Sequence, residues 1–146
     1  MNKTARSLNH LVEALNDGID FHQHAAAEST HPGHRDLFLE MARIKSRIAA
    51  DFKLEVAVQG SEPDQDGTWL GSVRQGYADL RAGMKKDSDD IYIAALEAQE
   101  DRVLEAFRDA QDKDQPDRVR ELAARYLPEV REMHDRMRAL KNAKVA

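Results

Sequence analysis

The sequence predicts an all-α fold: a four-helix bundle made of two antiparallel helical hairpins, joined by a long crossover that contains a short helix. Three observations carry this expectation. The 146 residues are rich in Ala, Leu, Glu, Arg and Asp, with aromatics at only 5%, and such a composition favours helix over sheet. Apolar residues recur at spacings of three and four in four long windows, the period of a helix that buries one face. Two short breaker-rich segments lie inside the pairs, and one long polar connection lies between them. Helices joined by short turns pack antiparallel, whereas a long connection can run along the bundle.

The first helix reads from about Thr4 to Glu28, with Leu8, Leu11, Leu15, Ile19, His22 and Ala26 inward and Thr4 or Ser7 able to cap its start. Ser29 to His34 is a tight turn with Pro32 and Gly33 as breakers. The second helix follows from about Arg35 to Gln59. Its stripe is Leu37, Met41, Ile44, Ile48, then Asp51 or Phe52, Glu55 and Val58, and Gly60 suits a left-handed cap. The crossover covers about 60–87. Its short helix, Thr68 to Met84, carries Trp69, Leu70, Val73, Tyr77 and Leu80 inward and is weakened by Gly71, Gly76 and Gly83.

The third helix starts at Ser88, with Asp89 and Asp90 in its first turn, and continues to about Gln111 through Ile93, Leu96, Glu100, Val103 and Phe107. Asp112 to Gln115 turns the chain, and Pro116 opens the fourth helix, where its missing N–H costs nothing. The fourth stripe is Val119, Leu122, Tyr126, Val130, Met133, Met137 and Leu140. Pro128 interrupts it and should bend the helix. All 146 residues then form one domain, 1–146.

Composition excludes several chemistries. No cysteine is present, which removes disulfides, thiol catalysis, iron–sulfur clusters and thiolate zinc sites. No apolar run approaches the roughly 18 residues of a membrane span, and the N-terminus does not resemble a signal peptide. A cytoplasmic protein with no membrane association is expected. Basic residues number 22 against 27 acidic ones, so nucleic acid is not an expected partner. The basic residues of the last helix alternate in sign with acidic ones, which suits a solvated face and the helix dipole. No phosphate-binding loop and no nucleophile elbow occurs.

This layout is ferritin-like. In detail the sequence resembles a family of uncharacterised bacterial four-helix-bundle proteins, a domain of unknown function placed among ferritin-like folds. The resemblance runs from Leu8 to Leu140. It rests on Leu8-Asn9-His10-Leu11 with Leu15-Asn16-Asp17-Gly18, on Leu37-Phe38 through Ala49-Ala50-Asp51, and on Gly71-Ser72-Val73 followed by Arg74 to Leu80. Glu97-Ala98-Gln99-Glu100-Asp101 and His134-Asp135-Arg136 complete it. The resemblance implies the fold. This chain departs from the pattern at His22, where an aromatic residue is usual, and that adds a candidate ligand.

A di-iron site in such a bundle needs a Glu from each of two helices and a Glu-x-x-His pair from each of the other two. The single Glu-x-x-His here is Glu28 to His31, at a helix end, so the full di-iron oxidase motif is absent. Polar residues nevertheless interrupt the apolar stripes. Counting residues from each turn, at about 1.5 Å apiece, brings His22, Glu40, Glu97 and His134 to one level, with Glu100 one turn away. Two imidazoles and two carboxylates suit a single Fe, Mn or Zn ion. The same residues serve equally as structural pairs that fix register, for example Glu100 with His134 or Arg125, since a buried charge needs a partner. Asp17 is a further interior candidate. On the first helix, Asp20, His24 and Glu28 are spaced to share a face and could hold a surface Cu, Ni or Zn ion, or simply form solvated pairs.

Two functions follow as expectations. The first is a non-enzymatic accessory or stress-associated bacterial protein with a degenerate metal site, acting through its surface and through assembly as a homodimer or other homo-oligomer. The alternative is a metal-binding protein with His22, Glu40, Glu97, Glu100 and His134 in the bundle core.

Overall fold

The computed structural model describes residues 3–60 and 88–145. These form four α-helices and no strand: α1 (Lys3–Glu28), α2 (Pro32–Val58), α3 (Ser88–Ala110) and α4 (Asp117–Val145). The expected crossover helix, with Trp69 and Tyr77, lies outside the described residues.

Each long helix follows from one apolar face. In α1 the buried set includes Leu8, Leu11, Leu15 and His22, as the spacing predicts. In α3 it includes Ile93, Leu96, Glu100, Val103 and Phe107. In α4 it includes Val119, Tyr126, Val130, Met133 and Met137, and Pro128 lies inside the helix. The buried face of α2 is rotated from the expected one. Phe38, Met41, Lys45, Ile48 and Phe52 point inward, whereas Leu37 and Ile44 are only partly buried and Val58 is exposed. Phe52 stands edge-on to Phe107 at 5.3 Å between ring centres. Buried side chains of this size contribute roughly 1.5–3 kcal/mol each, so the bundle is held chiefly by these stripes.

The turns differ from expectation in two respects. Pro32 does not lengthen the first turn; it occupies the start of α2, with His31 as the residue before the helix. Its fixed φ is already helical and its absent N–H would have had no partner there. The turn therefore shrinks to Ser29, Thr30 and His31, with the Ser29 hydroxyl accepting from the His31 N–H at 3.3 Å. Pro116 stands one residue before α4, where its carbonyl accepts from the Val119 and Arg120 N–H groups. Gly60, at φ +82°, closes α2 in the left-handed region that glycine tolerates.

The α1–α2 and α3–α4 pairs are antiparallel, and α1 also packs on α3. The fourth seam, between α2 and α4, is polar. Glu40 meets Arg136, Arg47 meets Glu129, Asp51 accepts from the Tyr126 hydroxyl, and Glu55 meets Arg118. Ascending α2 thus matches descending α4 rung by rung.

Candidate functional site

Two polar clusters lie on the described helices, one inside the bundle and one at its edge. The inner cluster comprises His22 from α1, Lys45 from α2 and Glu100 from α3, each 0% exposed. His22 Nε2 lies 2.9 Å from Glu100 Oε1 and 3.0 Å from Lys45 Nζ. Lys45 Nζ donates to the same Glu100 oxygen and sits 4.0 Å from the Met133 sulfur on α4. All four helices therefore converge on one ammonium group.

The electrostatics are those of an internal ion pair. Burial pushes the Glu100 carboxyl up, but the Lys45 charge, helped by His22, overrides burial and holds it down at about 2. Burial lowers the Lys45 ammonium, and Glu100 opposes that loss. Burial and then the Lys45 charge press His22 down to about 4, so its imidazole is neutral at pH 7. Protonation of His22 on Nε2 lets it donate to Glu100. Among the described residues His22 Nδ1 and Glu100 Oε2 then remain without hydrogen-bond partners.

The expected level of His22, Glu40, Glu97 and His134 does not form. Glu40 points outward to Arg136, because the inner face of α2 passes through Met41 and Lys45 instead. Glu100 pairs with His22 and Lys45, and neither His134 nor Arg125 is its partner. Lys45 was overlooked by sequence reasoning, since lysine is almost never fully buried unless paired. Its signal was present: position 45 continues the 41, 48, 52 stripe. A lysine chain also leans back toward the helix N-terminus, which carries its ammonium to the level of His22.

The outer cluster comprises Glu97 and Asp101 from α3 and His134 from α4. One potential ligand atom from each lies within 4.8 Å of the others, and among the described residues this is the one such group of three. Glu97 and Asp101 are one turn apart and share a face. His134 Nε2 is 2.5 Å from Asp101 Oδ1, and Nδ1 is 3.2 Å from Asp135 Oδ1. Arg138 and Lys141 flank the group, with Lys141 donating to Glu97 at 3.3 Å. A surface depression of about 500 Å³, lined in part by Asp101, His134 and Arg138, opens beside it. Of the expected core residues, Glu97 and His134 thus come together, while Asp101 completes them unforeseen.

The surface trio on α1 does not gather in the same way. His24 instead shares a hydrogen bond with the Tyr92 hydroxyl of α3 at 3.0 Å. Buried Asp17 accepts from Arg102 at 2.8 Å across the same helix pair. A di-iron centre does not fit the described residues. Lys45 fills the polar centre of the bundle, and Glu28 and His31 lie at the end of α1 and in the turn after it.

The profile of a family described as a domain of unknown function (DUF2383) matches residues 3–113. Among curated proteins no sequence matches. The backbone is similar to that of a Dps1 mutant from Mycobacterium smegmatis, with a TM-score of 0.74 and 17% identity over 97% of this chain and 99% of that one. At that identity the likeness shows the fold, a ferritin-like four-helix bundle.

Proposed function

The chain belongs to the DUF2383 family, and on that premise we propose that it is a non-enzymatic ferritin-like protein whose degenerate metal site is neutralised from within by Lys45. One observation carries this reading: the Lys45 ammonium lies between His22 and Glu100 with all three side chains fully buried. A metal at that point would have to expel a lysine side chain that is fully buried. Removing one member of a buried ion pair costs about 3–5 kcal/mol, so the ammonium is a poor leaving cation.

Function then resides at the surface. A bacterial accessory role, stress-associated and cytoplasmic, is part of the same reading; the fold shared with a bacterial Dps1 supports it. No helix among the described residues is long and apolar enough to cross a membrane. Assembly into a homodimer or larger homo-oligomer is supported by Leu39, Leu54 and Val58, which leave apolar surface exposed on α2.

Reaction with oxygen tests the reading. Tag-free protein loaded anaerobically with Fe(II), desalted and exposed to oxygen should oxidise iron no faster than buffer does. His22→Ala should leave the retained Fe, Mn or Zn unchanged. Accelerated Fe(II) oxidation that disappears in His22→Ala would overturn it.

A further inference from the structure

The outer cluster differs from the inner one in a way that matters for metals. Its neutralising cations are surface side chains: Arg138 is 54% and Lys141 42% exposed. Exposed ion pairs are worth about 0–1 kcal/mol, so an incoming ion displaces them cheaply. Lys45, buried and enclosed, offers no such exchange.

The hydrogen-bond pattern around His134 points the same way. Asp101 Oδ1 lies 2.5 Å from His134 Nε2 and can only accept, so Nε2 carries a proton toward it, while Arg138 stands further off at 3.4 Å. A metal ion entering between the ring and the carboxylate takes the place of that proton, since ligands bind deprotonated. Glu97 supplies a further carboxylate oxygen on the same side. Asp135, 3.2 Å from the other ring nitrogen, is placed as the carboxylates are that orient metal-bound histidines.

We infer that Glu97, Asp101 and His134 bind one divalent cation of the Zn(II), Mn(II) or Fe(II) class at the α3–α4 edge, with Asp135 positioning His134 and Arg138 acting as the cation that the metal displaces. One imidazole and two carboxylates match the ligand preferences of these ions, and the adjoining depression gives access. The ion ties α3 to α4 and does not depend on the inner cluster.

Titration of the full chain with Co(II), followed by visible absorption and calorimetry with Zn(II) competition, tests this. One Co(II) per chain is expected. Asp101→Asn and His134→Ala should each weaken binding at least about tenfold, and Asp135→Asn by about tenfold. Arg138→Gln should tighten it several-fold, because the competing charge is gone; a purely structural salt bridge would give no tightening. Asp101 is 51% exposed, so Asp101→Asn keeps the test intact should His134→Ala unfold. Absence of Co(II) binding at millimolar concentration would overturn the inference. So would binding indifferent to Asp101→Asn, or binding abolished by His24→Ala instead.

Discussion

Replacing Lys45 with methionine removes the charge at the centre of the bundle and nearly preserves the volume. Glu100 would keep a fully buried carboxylate with His22 as its remaining donor. Two routes give the cost. Burial pushes the Glu100 carboxyl up, yet it is held at about 2 against its ordinary 4.5; at about 1.4 kcal/mol per tenfold, Lys45 and His22 together supply at least about 3 kcal/mol. Breaking a buried ion pair by removing one partner costs about 3–5 kcal/mol. Lys45→Met should therefore lose about 3–4 kcal/mol, a large share of the roughly 5–15 kcal/mol that stabilises a domain. Its melting temperature should fall by roughly 6–16 °C at about 2–4 °C per kcal/mol. Urea unfolding followed by far-ultraviolet circular dichroism reads this as a shift in midpoint at constant slope. Lys45→Met/Glu100→Gln should recover most of the loss, since no buried charge is left unpaired. A loss below about 1 kcal/mol, as for an exposed pair, or a double variant whose losses simply add, would refute the internal ion pair.

Other expectations are as direct. His22 titrates at about 4 when folded and near 6.5 when unfolded, because burial and then Lys45 oppose its charge. Between those values the unfolded chain binds the extra proton, so stability falls as pH drops from 6.5 to 4, by about 3 kcal/mol; urea midpoints across that range should show it, and His22→Gln should flatten the slope. A methyl group at Gly18 would meet the Gln99 amide oxygen at 2.7 Å, and that amide is tethered to the Ala14 carbonyl at 2.7 Å. Gly18→Ala should cost about 1–3 kcal/mol, most of it relieved in Gly18→Ala/Gln99→Ala. Arg102→Ala should cost about 2 kcal/mol by removing the cation beside buried Asp17, whereas Arg47→Ala, at an exposed rung of the α2–α4 seam, should change stability by less than about 1 kcal/mol in thermal melts.

The helices were legible in the sequence because each carries a long 3.6-residue stripe, and tertiary packing selects the same stripe. Leu8, Leu11, Leu15 and His22 in α1 and Ile93, Leu96, Glu100, Val103 and Phe107 in α3 are buried as the spacing predicts, while Ile19 is only partly buried. In α2 two overlapping stripes compete, one through Leu37 and Ile44 and one through Phe38 and Lys45. Periodicity weighs the first more heavily, because its opening members, Leu37, Met41, Ile44 and Ile48, are all apolar. The aromatic rings of Phe38 and Phe52 decide for the second, and Lys45 is carried inward with them. The candidate site suffered for the same reason. Glu100 and His22 stood out as polar interruptions of apolar stripes, but their partner was a lysine that composition assigns to solvent. Asp101 was missed because it is half exposed and looks like any carboxylate on a charged helix. Its meaning comes from His134 across the helix pair, and a contact between residues so far apart in sequence leaves no local pattern.

Anomalous diffraction from crystals grown with Co(II), recorded at the cobalt edge, examines both clusters in one experiment. A peak beside His134 Nε2, between Asp101 and Glu97, is predicted, together with continuous density from Lys45 to Glu100 and no anomalous signal at the bundle centre. A cobalt peak between His22 and Glu100, with Lys45 turned away, would contradict the assignment of Lys45 as the resident cation of the core.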